Sequence, residues 1–278
     1  MTPRPWIPAF CLALALPSLA FATEPLPSTE PLPSGEEIAR RINARDDGEL
    51  FLGALSIELT DRRGGRMVRN VRTVRRDVTG QRQSVFVFDA PADLRGTGLL
   101  LHDHADVEQD DDQWLYLPAA RKIRRIATGD RGGYFAGTDF TFEDMKNGSK
   151  VSIQDYRWQT VQSETLAGVP CFVVEATAVR PEVAEELGYG RVRFWVDAQI
   201  WMPRRAEVWD PKGEPLKTIE TRDVRQVEGI WTAHEIEVEQ HQTGHRTLFK
   251  LTRADYSFDA SEDMFTQQAL MRGLRTPE

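Results

Sequence analysis

The histidines and carboxylates are where this chain could do chemistry. His102-Asp103-His104 places two imidazoles on one face of an extended segment, because side chains at i and i+2 point the same way. Two such rings could begin a zinc or copper site. A structural zinc site takes four ligands, and the sequence anchors no third one. No metal site and no cofactor are therefore expected. His241 and His245 are four apart, but the Thr243-Gly244 turn lies between them. That spacing across a turn is not a helical ligand pair, and no acidic partner lies between the two. His234 falls on an apolar strand face, where a hydrogen-bonded core histidine accounts for it. Asp139, Glu143 and Asp144 could supply paired carboxylates for acid–base work. Arg124 and Arg125 could equally hold them in structural ion pairs, which also produce such clusters. No Gly-x-Ser-x-Gly elbow is present, and no serine has a recognisable nucleophile context. No catalytic residue is assigned, and an enzyme is not expected.

The start of the chain reads as an export signal. Arg4 gives a short positive region, residues 6 to 19 are mostly apolar, and Ala20-Phe21-Ala22 is a small-x-small cleavage site. Residues 1–22 are thus expected to be removed, with Thr23 first in the mature chain and the periplasm as its compartment. Cys11 lies in the apolar run, in a poor context for lipid attachment. Loss of the signal leaves Cys171 as the single cysteine. Its Cys-Phe-Val-Val run predicts a buried, inert thiol.

The full 278-residue chain is 40% hydrophobic and 28% charged, with a net charge of −8. This is the composition of a folded globular protein and argues against nucleic-acid binding. Charge is unevenly spread. Arg62, Arg63, Arg66, Arg69, Arg72, Arg75 and Arg76 crowd one stretch; Asp103, Asp106, Glu108, Asp110, Asp111 and Asp112 crowd another. Such blocks can steer partners, and solvated strand faces also produce them.

These side chains need elements to hold them. Residues 23–33 carry Pro25, Pro27, Pro31 and Pro33 and read as an extended linker. Ser34-x-x-Glu37 is a capping-box pattern, and Ile38 and Ile42 share a face, so a helix is expected over 34–46. The period then changes to two. Phe51, Gly53, Leu55, Ile57 and Leu59 share one strand face. His234, Ile236 and Val238 face one way, and Glu235, Glu237 and Glu239 the other. That alternation predicts a sheet with one dry and one wet face. Further strands are expected at 66–76, 82–89, 98–104, 113–117, 121–126, 151–158, 171–178, 191–197, 203–209, 215–222 and 245–256. Turn signals such as Thr79-Gly80, Ala167-Gly168 and Glu228-Gly229 separate many of them. Helical segments are expected at 181–187 and at 261–273, the latter capped by Ser261. A single, mainly β, antiparallel domain over 34–278 with about three helices is the simplest architecture.

The most distinctive stretch runs from residue 114 to 145. It contains Trp114-x-Tyr116-x-Pro118, then Arg121-Lys122-x-Arg124-Arg125, then Gly137-Thr138-Asp139-Phe140 followed by Glu143-Asp144. Trp114 and Tyr116 share a strand face; large aromatics with polar handles line cavity walls or fill ordinary cores. The arginine cluster is a solvated turn, a docking surface for an acidic partner, or a contact for an anionic head group. With these features in register, the chain resembles the LolA-like family of outer-membrane lipoprotein-sorting proteins, in its periplasmic, transporter-associated branch. The resemblance extends more weakly over residues 40 to 272. It implies a half-open β-barrel with helices over its mouth. It also implies a carrier that shields acylated lipoprotein or lipid cargo in an apolar cavity. Trp114, Tyr116, Phe140 and Phe142 are then candidate cavity walls. Arg121, Arg124 and Arg125 are candidate contacts for a head group or for a partner such as an inner-membrane export transporter. The competing reading is an adaptor of such a transporter that binds protein surfaces and no lipid.

Overall fold

The computed structural model describes residues 31–106, 109, 111–148 and 150–274. The expected signal at 1–22, and the linker at 23–33 except for its last three residues, lie outside them. The period-two segments become strands β1 (Leu50–Thr60), β2 (Arg66–Val78), β3 (Gln81–Ala90), β4 (Gly98–His104), β5 (Asp112–Leu117) and β6 (Lys122–Arg125). They continue as β7 (Tyr156–Leu166), β8 (Val169–Ala178), β9 (Arg191–Asp197), β10 (Pro203–Trp209), β11 (Pro215–Val227), β12 (Ile230–Gln240) and β13 (His245–Asp255). All belong to one open antiparallel sheet, in the order β6-β5-β4-β3-β2-β1-β13-β12-β11-β10-β9-β8-β7. Two meanders are thus zipped together where β1 pairs with β13. The fold is mainly β and antiparallel, as expected, and its sheet is not closed between β6 and β7.

Short turns make the meanders. Between β7 and β8, Ala167 and Gly168 both take positive φ (49° and 84°). Two consecutive left-handed residues match the twist of a two-residue hairpin, and glycine bears the second at no steric cost.

The front of the sheet and the back of β1–β5 are covered by different partners, while the back of β8–β13 carries solvent-facing ion pairs such as Arg193–Glu175 and Arg222–Glu237. The front face carries Phe51, Leu55, Phe86, Ile236 and Phe249. It is covered by helices α1 (Gly35–Ala44), α2 (Phe142–Asn147) and α3 (Pro181–Leu187). Helix α1 starts where the Ser34 side chain accepts from the Glu37 amide at 3.2 Å. It buries Ile38 and Ile42 against Val174 and Val196, with Phe194 beside them. The back face carries Leu52, Val74, Val85 and Leu100, and the C-terminal segment supplies Phe258, Phe265, Leu270 and Leu274 to fill it. That segment contains a 3-10 turn at Glu262–Phe265 and helix α4 (Gln267–Arg272). The single helix expected at 261–273 is divided there because Thr266 is extended and caps the second piece, accepting from the Ala269 amide at 3.1 Å.

Two further elements differ from the sequence reading. The strand expected at 151–158 begins only at Tyr156. Val151 gives its backbone to the Asn43 side chain instead, N–H donating to Oδ1 and C=O accepting from Nδ2, each at 2.8 Å. A side chain on α1 thus replaces a sheet partner. Helix α2 was not expected. Thr141 and Asp144 form its capping box, each side chain accepting from the other residue's amide. Asp144 holds the N3 position, three residues after the cap, where Glu or Gln is usual.

Candidate functional site

Alternation along each strand decides what meets inside. On the front face the sheet and its helices enclose a cavity of about 390 Å³. Its walls come from both meanders: Leu55 and Phe86 on one side, Val192, Phe194, Ile219, Ile236, Phe249 and Leu251 on the other, with Tyr156 and Trp158 from β7. Helix α2 and residues 150–152 close part of it. Aromatic pairs set the wall. Trp158 stacks on Phe194 at 5.6 Å, and Phe140 meets Phe249 edge-on at 4.5 Å.

Ion pairs hold the α2 cover in place. Lys217 is fully buried; its Nζ donates to the Asp139 carbonyl at 2.7 Å and to Asp144 Oδ2 at 2.8 Å. The Tyr189 hydroxyl donates to the same Asp144 oxygen at 2.6 Å. Burial and the Asp144 charge push the Tyr189 phenol well above its usual range, so it stays a donor. Lys146 contacts Asp111 at 2.6 Å and Glu143 at 2.8 Å. Asp139 accepts from His245 Nδ1 at 2.7 Å and from the Thr247 hydroxyl at 2.6 Å. The carboxylates of the 139–144 segment are therefore engaged: Asp144 by Lys217, Glu143 by Lys146 and by Arg131 at 3.6 Å, and Asp139 by the His245 ring and the Thr247 hydroxyl. Arg124 and Arg125 pair elsewhere.

One end of the cavity is charged. Asp47 is buried and takes Arg82 on both oxygens at 3.0 Å, Arg75 at 3.3 Å and Lys150 at 3.1 Å. Arg82 also holds Asp77 at 2.6 Å. Arg75, Arg82, Lys150 and Asp47 all line the cavity. The surrounding cations hold the Asp47 carboxyl well below the usual carboxylate range, although burial opposes them.

The four candidate aromatics separate. Phe140 lines the cavity. Phe142 packs nearby against Phe135 at 6.0 Å and borders a second hollow with Leu115, Arg124 and Ile126. Trp114 and Tyr116 are on the back face, packed on the layer that the C-terminal segment fills; Trp114 meets the His102 ring edge-on at 5.1 Å. The wall position assigned to these two is corrected accordingly. In β5 it is Leu115 that joins the front-face layer. The three arginines are exposed at the β5–β6 edge, away from the charged end of the cavity. Arg121 takes a left-handed φ of 50° after the Pro118–Ala120 turn. Arg124 pairs with Asp130 at 2.9 Å and Arg125 with Asp112 at 2.6 Å. Of the histidines, His102 Nε2 lies 3.1 Å from the Phe265 carbonyl, which ties it to the C-terminal segment. Cys171 is buried beside Val173 and Trp195, and burial raises its pKa.

Sequence reasoning missed the charged end. The Arg62–Arg76 run was visible as charge, but alternation sorts it. Arg75 shares the front face with Thr73, and Arg76 turns to the back, where its guanidinium lies 4.7 Å from the Phe265 ring.

Comparison with known proteins agrees with this arrangement. A family profile described as an uncharacterized protein matches residues 80–272. The solved structure of a domain named for outer-membrane lipoprotein sorting, from Vibrio parahaemolyticus, is 30% identical, with a TM-score of 0.77. The match covers 86% of this chain and 98% of that one. The chain belongs to this outer-membrane lipoprotein-sorting domain family. A DUF1329 family protein from Desulfovibrio piger is 27% identical, with a TM-score of 0.78, over 85% of this chain and 97% of that one. A LolA superfamily protein from Nitrosomonas europaea shares the fold at 17% identity and a TM-score of 0.63, over 86% of this chain and all of that one. No curated protein matches the chain.

Proposed function

We propose that this protein is a non-catalytic periplasmic carrier that shelters the acyl chains of a lipid or lipoprotein in the front-face cavity. One observation carries the reading. In a lipoprotein-sorting family member, the front of the sheet keeps an apolar cavity of about 390 Å³, whereas side chains pack the back. That volume lies within the roughly 300–1,000 Å³ of small-molecule sites. Each methylene moved from water into such a wall contributes about 0.8 kcal/mol, so partial burial of one chain is enough for useful affinity. The reading takes residues 1–22 as the export signal, 23–33 as a linker and 34–278 as the carrier domain. The α2 cover, held by ion pairs rather than by a continuous apolar seam, is the part that moves to admit cargo. Release needs a receiver that favours the open form. Arg121, Arg124 and Arg125 are the proposed contacts for such a partner, an inner-membrane export transporter being the fitting class.

Native mass spectrometry of protein purified from periplasm tests this, together with titration by a fluorescent fatty-acyl probe. The expected result is co-purifying lipid, or saturable probe binding that lipid displaces. A clean apo mass together with no binding of any acyl probe sinks the carrier and leaves the adaptor reading.

A further inference from the structure

We infer that the Arg75–Arg82–Lys150 end of the cavity is a subsite for an anionic head group, so that the cargo is an acidic amphiphile. The inference rests on the carrier reading and names its substrate class. The front-face residues of paired strands β2 and β3 change character along their length. Val71 stands opposite Phe88, Thr73 opposite Phe86, and Arg75 opposite Ser84; Asp77 and Arg82 follow. An apolar wall thus grades into a cationic one within a single ladder, as an amphiphile's tail grades into its head.

The cluster does not balance itself. Four cations, Arg45, Arg75, Arg82 and Lys150, surround two carboxylates, Asp47 and Asp77. Asp46, next in the chain, is exposed and accepts from the Gly48 amide. Arg75 and Arg82 are largely buried, with side chains 16% and 13% exposed. The Nε donors of both Arg45 and Arg75 are shut off from solvent and have no acceptor among the described residues. Burying excess positive charge and leaving donors unpaired is unfavourable unless an anion completes the site. Guanidinium groups bind phosphate and carboxylate oxygens directionally. Lys150 adds a third cation from the segment that closes the cavity. Asp47 is the anchor that holds Arg75, Arg82 and Lys150 together.

The test compares ligands that differ only in the head. Oleoyl lysophosphatidic acid and monooleoylglycerol share the acyl chain and the glycerol; only the first carries a phosphate. Displacement of a fluorescent acyl probe gives both affinities, and inorganic phosphate alone is the third arm. Wild type is expected to prefer the phosphate-bearing lipid by about ten-fold or more, as charge-assisted bonds imply. Arg75→Gln is expected to reduce that preference to below about three-fold. Because Arg75 also braces Asp47, Lys150→Gln is measured beside it and is expected to lower the preference in the same direction. Equal wild-type affinity for the two lipids overturns the head-group subsite and leaves the carrier intact. Failure of both lipids to bind removes the carrier reading itself. A preference that survives both substitutions places the anion elsewhere and overturns the assignment. A thermal shift from inorganic phosphate as large as that from the lipid gives the site to the free ion and also overturns it.

Discussion

The front of this sheet and the back of its β1–β5 part are both apolar, yet the cavity lies on the front and the C-terminal segment fills the back. On the back, Leu52, Val74, Val85 and Leu100 meet Phe258, Phe265, Leu270 and Leu274 from the C-terminal segment. On the front, Leu55, Phe86, Ile236 and Leu251 face a cavity roofed by α2 and residues 150–152. Over β1–β5 the strands are apolar on both faces; the difference there lies in what the chain sends to cover them. A segment bearing four large apolar side chains fills a face. A short helix pinned by Lys217, Lys146 and their carboxylates spans one without filling it. An open apolar face is thermodynamically expensive, and close packing is the norm for interiors, so its retention is an argument for an occupant.

The sharpest way to break the comparison is to remove volume from the filled side. Leu100→Ala is expected to cost about 3 kcal/mol, because a packed site relaxes only partly around a void. Thermal unfolding should then fall by about 6–12 °C for a domain of this size. Acyl-probe affinity per folded molecule should be unchanged. A tolerant Leu100→Ala would mean that the back is as loosely filled as the front.

Adding volume should separate the faces the other way. Leu251→Trp grows into the front cavity and should change stability by less than about 1 kcal/mol. It should weaken probe binding by about ten-fold or more, since it occupies the space that the tail needs. The same enlargement at Val74, on the back, should overpack and destabilise by about 1–3 kcal/mol. If Leu251→Trp unfolds the protein, the front is a closed core and the cavity has no occupant.

What the sequence showed depended on whether the signal was local. Strand alternation, glycine turns and the Ser34 cap are short-range, and the structure has them. So is the facing of Phe51 and Leu55 or of His234 and Ile236, which alternation alone assigns. The site was harder to read because parity says which side chains share a face, not which face is the open one. Trp114 and Tyr116 do share a face, but it is the one that the C-terminal segment covers. Nothing near residue 114 reveals that a segment more than a hundred residues later fills that side. The charged end had the same difficulty. Asp47 leaves the end of α1, Arg75 and Arg82 come from two strands, and Lys150 sits just before the segment 151–158 that reads as a strand; only the folded sheet brings them together. Helix α2 escaped because it is six residues long, too short for a periodic signal.

The roof offers a smaller effect that depends on pH. Burial pushes the Asp103 carboxyl up to about 6, with Asp111 and Glu143 adding repulsion against the pull of Lys146. The unfolded carboxyl titrates near about 3.9. Between those values the folded protein holds a proton that the unfolded chain has released, so stability falls as pH rises through the window and levels off above it. Asp103→Asn removes this loss. Its side chain is 35% exposed. Solvent screening therefore reduces the expected gain to about 1 kcal/mol near pH 8, or a rise of about 2–4 °C in Tm. Near pH 4 the two proteins should melt together. A gain of equal size at both pH values would assign the effect to packing instead of charge.

The smallest expected effect is at the sheet edge, where neither face is at stake. Arg124 is two-thirds exposed and paired with Asp130; exposed pairs of this kind contribute about 0–1 kcal/mol. Arg124→Glu should therefore shift Tm by less than about 2 °C and leave the acyl-probe affinity unchanged. It should remove capture of an acidic membrane partner if the β5–β6 edge is the docking site. The value of the variant lies in its separation from the cavity. Arg124 borders the hollow that also holds Phe142, and Phe142 opens the α2 roof. Should Arg124→Glu weaken probe binding without loss of stability, the edge and the roof move together. Partner contact at the edge would then be the step that opens the front face.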